Sequence, residues 1–373
     1  MTSKRHVHSG RSNPKMPNVS SRAASLSRGN SEEVARFLRN VFFLALVMVS
    51  RQTQRPILLI PLSQHALTKP FYSSCANVRN MKVILSRKGF DSEAGGGPSP
   101  QLPDGRLISL PIPEYAFSQA KLRYDELHYG RDEKLIDLMK SLGYGKFIGK
   151  KCHLDPDLCV DALEKRRNGW RSVFGQCEGQ QTHLKNQEVQ EDDIFLFFGW
   201  FRKTRRNTGH ISFDPLDKKG KHVLFGYLQI GEILACGKQS SIPAWLEYHP
   251  HAAFRDDSRY KNNTIYISRS NLSFDKSLPG AGTFRCDEKS AEYVVLSKEG
   301  HLKSHWTLPD FLREAKISYH SPKSWKNDYF QSVARGQEFV IHSDGKERIE
   351  KWVKDLIKNS RTSCPAQHKD VLA

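Results

Sequence analysis

Two apolar runs constrain this chain more than anything else in it. Residues 194–201 read IFLFFGWF and residues 223–234 read VLFGYLQIGEIL. Apolar runs of this length, bounded by polar stretches, read as strands that must be taken out of water. Residues 202–221, between them, read as a polar loop with a basic cluster at Arg202, Lys203, Arg205 and Arg206. MKVILS from Met81, TIYIS at residues 264–268 and the run at 293–296 supply further strands. Helical spacing appears twice. Leu135, Ile136, Leu138, Met139 and Leu142 mark a helix over residues 131–142 that stops at Gly143, and Ile349, Trp352, Val353, Leu356 and Ile357 share one face of a last helix. Strands and helices without strict alternation predict an α+β fold, mixed and mainly antiparallel, with flanking helices.

The charge divides the chain. The formal net charge is +18, and residues 1–80 carry twelve Lys and Arg against only Glu32 and Glu33, or +10 of it. Whole-chain charge is therefore a poor argument for nucleic-acid binding. Residues 1–40 are rich in Ser, Arg, Asn and Lys without apolar periodicity, a composition that predicts disorder. The apolar run at 41–49, VFFLALVMV, is shorter than the roughly 20 residues a bilayer span needs. It sits too far from the N-terminus for a signal peptide, and Arg51 and Arg55 follow it. The leader reads as an over-extended start, with an organelle transit peptide as the alternative and a cytoplasmic protein without a membrane anchor as the default. The expected organisation is a basic leader at 1–80, a main domain at 81–345 and a C-terminal helix and tail at 346–373.

The seven cysteines (Cys75, Cys152, Cys159, Cys177, Cys236, Cys286, Cys364) contain no Cys-x-x-Cys pair and are odd in number, as in a reduced protein. Cys152, His153 and Cys159, with Cys177 and His183, match no zinc-finger spacing, so no metal is assigned and the cofactor stays open. No phosphate loop, dinucleotide fingerprint, nucleophile elbow or His-Glu-x-x-His occurs. Five local patterns remain. Arg87, Lys88 and Asp91 stand where the Met81 strand runs into a loop holding Gly95 and Gly96, where sites are commonly built. Asp155-Pro156-Asp157 is either a paired-carboxylate site or a turn and helix cap. His249-Pro250-His251, read as extended, points both imidazoles one way, the alternative being a surface loop. Gln337 and Glu338 follow Arg335-Gly336, and a Gln beside a Glu can meet the donor and acceptor edge of a base. Gln176 and His183 lie in a polar stretch before the long apolar strand.

The block MKVILSRKGFDSEAGGGPSPQLPDGRLISLPIP, from Met81, resembles the opening of the nucleotide modification associated domain, third family. HLDPDL (residues 153–158), FGQ…HL (174–184), DDIFLFFGWFR (192–202), FGYLQIGEI (225–233), HPH (249–251), PGAGTF (279–284), SHWTLPDF (304–311) and RGQEFV (335–340) continue it in order. The resemblance covers about Met81 to His342. It implies handling of nucleotides or modified bases and carries no agreed catalytic residues. A weaker likeness, from the acidic pair at 192–193 to Phe-Gly-x-x-x-Ile-Gly-Glu-Ile, is to the barrel core of PUA-like modified-base readers, which would place a flipped base among Trp200, Phe201, Tyr227 and Trp245.

Two functions follow. One is an enzyme acting on a nucleotide or nucleic-acid base, with Arg87, Lys88, Asp91, His183, His249, His251 and Glu338 as reactive groups and Gly95, Gly96, Gln176, Trp200, Arg202 and Gln337 as binding groups. The other is a non-catalytic reader of modified or flipped bases, with Arg202, Lys203, Arg205 and Arg206 on phosphates. The expected partner is a nucleotide or nucleic acid, DNA ahead of RNA.

Overall fold

The computed structural model describes residues 79–114, 118–333 and 336–362. The leader, the apolar run at 41–49, Cys75, Cys364 and Arg335 lie outside them. Ten strands form one sheet: β1 (Val83–Arg87), β2 (Ser99–Gln101), β3 (Val173–Gln176), β4 (Ile194–Asn207), β5 (His210–Phe213), β6 (Lys221–Ala235), β7 (Thr264–Ser268), β8 (Ala281–Thr283), β9 (Lys316–Ile317) and β10 (Glu338–His342). The main path runs β9-β10-β1-β4-β6-β7-β3, while β2 and β5 pair with β4 and β8 pairs with β6. Only the β1–β4 and β2–β4 pairs are parallel.

The two long apolar runs become the middle of this sheet. Phe195, Leu196, Phe197 and Phe198 of β4 are all buried, as are Val223 to Ile230 of β6. Both faces are covered, which is why the runs read continuously rather than in alternation. β1 is similar: Val83, Ile84, Leu85 and Ser86 are all buried between β4 and β10.

Among the described residues, five α-helices flank the sheet: α1 (Leu135–Ser141), α2 (Glu178–Asn186), α3 (Pro250–Ala253), α4 (Ala291–Val294) and α5 (Lys346–Ser360). The last helix lays Ile349, Val353, Leu356 and Ile357 into the main core. Each fully buried aliphatic side chain contributes about 1.5–3 kcal/mol of transfer free energy. A second core gathers Phe90, Tyr124, Tyr144 and Phe147 around α1 and the glycine-rich loop.

The structure corrects several expectations. Residues 202–221 are a loop only over 214–220. β4 continues to Asn207 and returns as β5 through Thr208 and Gly209, both at positive φ, as a tight hairpin turn requires. Residues 293–296 are not a strand: Ala291–Val294 is a short helix, and only Val295 bridges to Val223. The helix expected over 131–142 starts at Leu135, because Glu133–Lys134 pairs with His128–Gly130. Gly143 stops it at φ +84.

The sheet is open rather than a closed barrel. Its path ends at β9 and β3, and among the described residues no ladder joins those ends. It nevertheless curls far enough that Gln176, at the end of β3, donates to Glu338, at the start of β10, at 2.7 Å. A side-chain hydrogen bond bridges where a barrel would have backbone pairing. The chain just before Met81 is tied in as well. Arg79 grips the buried carboxylate of Asp193 with both terminal nitrogens, at 2.7 and 2.6 Å.

Candidate functional site

The gap at the curled ends of the sheet is polar. Lys88 follows the last residue of β1, and its Nζ donates to Glu338 Oε1 at 2.9 Å. Gln176 Nε2 donates to the same oxygen. Glu338 is fully buried as the first residue of β10, whose first four residues are all buried, while Gln337 just before the strand is exposed. The second carboxylate oxygen, Oε2, is buried and has no hydrogen-bond partner. Lys88 also lies 4.5 Å from the centre of the Phe174 ring. A buried ion pair held this way needs its remaining lone pairs satisfied, and Oε2 is an acceptor still to be used.

His183 on α2 completes this cluster. Its Nε2 lies 3.0 Å from Ser318 Oγ, and its ring stacks on Tyr319 with centroids 4.2 Å apart. Burial lowers its pKa, and the nearby Glu338 charge opposes that without reversing it. His183 is thus held toward the neutral, proton-accepting form beside a carboxylate.

A second cluster lies across β3. Gly175 N donates to Asp155 Oδ1 at 2.8 Å, so adjacent residues of one strand touch both clusters. Around Asp155 stand three imidazoles. His249 Nε2 is 3.4 Å from Oδ1, His251 Nε2 is 3.6 Å from Oδ2 and His153 Nε2 is 3.8 Å from Oδ2. The outer nitrogens of two rings are fixed: His153 Nδ1 is 2.5 Å from Glu114 Oε1 and His251 Nδ1 is 2.6 Å from Asn263 Oδ1. His249 is fully buried, and neither of its ring nitrogens has a partner. Gly175 is required here, since a Cβ on it would lie 2.2 Å from the His251 ring.

Electrostatics follow the geometry. Burial alone would raise Asp155, but the surrounding histidines, led by His153 and His249, hold it well below the usual carboxylate range. Burial opposes a charge on His153, and the neighbouring carboxylates of Asp155 and Glu114 overcome it, pushing the imidazole up to about 9. Burial dominates at His251, whose pKa falls to about 3 despite Asp155. Cys177 lies between the clusters. Burial, then Glu178 and Asp155, push its thiol up to about 11, while Lys88 pulls it down.

The structure therefore brings together Lys88, Gln176, His183 and Glu338 in one place, and His249 and His251 in another. The two histidines converge for a different reason than expected. His249 is extended, but Pro250 begins α3 and His251 lies in its first turn. Their rings sit 5.8 Å apart, centre to centre. The two carboxylates of Asp155-Pro156-Asp157 part company: Asp157 turns away to a two-pronged pair with Arg166, at 2.6 and 2.8 Å.

The remaining candidates are held elsewhere. Arg87 donates its backbone N–H to the Gln337 carbonyl. Asp91 Oδ1 accepts from the Glu93 and Ala94 N–H groups, shaping the glycine-rich loop. Gly95 is buried at φ +90 with the Phe90 ring pressed against it, so it serves packing, while Gly96 is exposed. Arg202 is bound to the Asp214 and Asp217 carbonyls and lies over Phe213. Trp200 carries Lys303 over its face, 3.7 Å from the ring centre. Phe201 and Tyr227 are core residues, Tyr227 stacked on Phe284, and Trp245 packs in a small third core, so these aromatics do not wall a pocket. Arg205 and Arg206 are exposed on the hairpin. An apolar cavity of about 270 Å³ lined by Leu107, Pro111, Leu127, Leu154, Phe225 and Phe284 also touches Pro156 and Asp157, but not Lys88, Gln176, His183, His249, His251 or Glu338.

Sequence reasoning did not assign His153, Asp155, Glu114 and Asn263 to a common site. The HLDPDL block held two of them, but Glu114 and Asn263 carry no local signal; they meet only because β7 and the 112–113 and 152–153 strands bring them together.

A family model described as nucleotide modification associated domain 3 matches residues 82–342. No curated protein and no solved structure matches the chain.

Proposed function

The chain belongs to the nucleotide modification associated domain 3 family, and from that premise we propose that it acts on a nucleotide or nucleic-acid base at the Lys88–Gln176–Glu338 cluster. One observation carries the reading: the buried Glu338 carboxylate presents Oε2 without a partner, beside Gln176 and His183. A base edge offers amine or imide N–H groups next to carbonyl or ring-nitrogen acceptors. Glu338 Oε2 accepts from such a donor, and an amide such as Gln176 serves either sense. Lys88 keeps the carboxylate charged side paired, which lowers the cost of holding it out of water. His183, kept neutral by burial, is the group within this cluster best suited to take a proton. Arg205 and Arg206, on the exposed hairpin, are placed to meet phosphates of a longer nucleic acid, DNA ahead of RNA.

A non-catalytic reader of modified bases has less support, because Phe201 and Tyr227 are spent on the core. The test is mass spectrometry of nucleosides from the DNA and RNA of cells with the protein, without it, and with Glu338→Gln in its place. The enzyme reading expects a nucleoside that appears or disappears with the wild type and reverts in the variant. An unchanged profile, together with wild-type binding of oligonucleotides in titration calorimetry, would favour the reader.

A further inference from the structure

We propose that His153, Asp155 and His251 form a binding site for a divalent first-row transition metal, with His249 as an available fourth ligand. The distances argue for it. His153 Nε2 and His251 Nε2 lie 3.8 and 3.6 Å from Asp155 Oδ2. Those separations are too long for hydrogen bonds, yet three polar groups, His251 buried and His153 and Asp155 partly so, converge on one point. They are the spacing left between neighbouring ligands when each sits about 2.0–2.2 Å from a central ion. The candidate ligand atoms all fall within 4.8 Å of one another.

The outer shell points the same way. A ligating imidazole donates its second N–H to a carboxylate or carbonyl, which fixes the tautomer and aims the other lone pair at the metal. His153 has Glu114 in that position and His251 has Asn263, at 2.5 and 2.6 Å. Asn263 is itself anchored, its Nδ2 donating to the His251 carbonyl at 2.7 Å. Asp155 Oδ1 is held by the Gly175 N–H, which leaves Oδ2 for the ion.

The independent observation is His249. It is fully buried, both ring nitrogens lack partners, and Nε2 is 3.4 Å from Asp155 Oδ1. A buried imidazole without a hydrogen bond is costly unless something else occupies its lone pair. His249 stands on the Oδ1 side, outside the three residues whose ligand atoms lie within 4.8 Å of one another, so it joins an ion here as a fourth ligand by turning its ring toward Oδ2. Two or three imidazoles with one carboxylate suit zinc, iron(II), cobalt or manganese, and disfavour magnesium and calcium, which take oxygen ligands. Cys152 is adjacent in sequence but points its thiol at the Leu122 carbonyl, outside this set.

The inference stands apart from the nucleotide reading, and its test needs no nucleotide. Untagged full-length protein is stripped with chelator, then titrated with Zn²⁺, Co²⁺, Mn²⁺ and Mg²⁺ and followed by calorimetry. Cobalt absorption reports geometry, and X-ray absorption of the zinc form reports ligand type. The expected result is about one equivalent of Zn²⁺ or Co²⁺ per chain, nitrogen and oxygen neighbours only, and no saturable Mg²⁺ binding. Glu114→Gln, which touches no metal, should weaken affinity about 10–100-fold. Asp155→Asn and His251→Gln should abolish binding, and Cys152→Ser should leave it unchanged. Wild-type protein that takes up no ion would overturn the proposal. So would sulfur in the coordination shell, or an affinity that Glu114→Gln, Asp155→Asn and His251→Gln all leave intact. If the two ligand variants fail to fold, the wild-type stoichiometry, the ligand type and Glu114→Gln decide the matter.

Discussion

The two polar clusters on either side of β3 handle buried charge in opposite ways. At Glu338 the carboxylate has a cation of its own: Lys88 is 2.9 Å away and Gln176 shares the same oxygen. At Asp155 the neighbours are imidazoles 3.4–3.8 Å away, whose outer nitrogens are bound to Glu114 and Asn263. The first cluster is neutral as built and offers a polar guest one acceptor. The second gathers electron pairs and is completed only by a proton or a metal cation. Gly175 serves one cluster and Gln176 the other, so a single strand holds both and lets them be separated by mutation.

The largest expected effect breaks the first cluster. Lys88→Met leaves a fully buried carboxylate with no cation, and loss of one partner of a buried pair costs about 3–5 kcal/mol. Urea denaturation should show that loss, and the Lys88→Met/Glu338→Gln double variant should recover most of it. If the single and double variants are equally unstable, the cost lies in packing of the lysine stem and the ion pair is incidental. Gly175→Ala comes next and breaks the second cluster alone. The new Cβ would lie 2.2 Å from His251 Cδ2, so the ring must move. Overpacking of this kind costs about 2 kcal/mol. Metal uptake should be lost while binding of a nucleotide at Glu338 persists. Retained uptake would mean that His251 is not a ligand.

Much of the sheet could be read from sequence, because its central strands are buried on both faces and their apolar runs are unbroken. TIYIS emerged with its boundaries intact as Thr264–Ser268, and the last helix with its buried face. The misses have local causes. Residues 202–207 are polar because that half of β4 leaves the core and forms an exposed hairpin, so composition looked like loop. Tyr293 and Val294 are apolar and β-prone but sit in a short helix against α5. The site was legible in part. Lys88, Gln176, His183 and Glu338 were singled out one by one from strand ends and polar stretches. Their meeting depends on the curl of the sheet, which no local pattern encodes. The histidine cluster was half visible in HPH and HLDPDL, but Glu114 and Asn263 join it only through long-range pairing.

Gln176→Leu sharpens the comparison with a smaller effect. It keeps the volume of the side chain and removes the neutral donor to Glu338 Oε1. A hydrogen bond to a buried charge is worth about 1.5 kcal/mol, so thermal or urea denaturation should show a loss of that order. Nucleotide affinity should fall with it, and metal affinity should not change. Loss of both would show that the two clusters form one cooperative unit rather than two sites sharing a strand.

The smallest effect uses a third histidine as a reference. His222 is as buried as those around Asp155, but it has a conventional partner: Trp306 Nε1 donates to its Nδ1 at 3.1 Å. Burial, aided by the charges of Lys303 and Arg87, lowers its pKa from 6.5 to about 3. The unfolded chain therefore binds a proton that the folded one refuses. The stability from this group is complete above pH 6.5 and drains away as pH falls toward 3. Its share of the slope is roughly 1 kcal/mol per pH unit. His222→Leu should remove that share of the acid sensitivity, read from urea midpoints between about pH 7 and 5, while Trp306 keeps its other acceptor, the Lys303 carbonyl. A variant with the wild-type slope would place the acid sensitivity in the other histidines whose pKa burial lowers, His251 and His320 first among them.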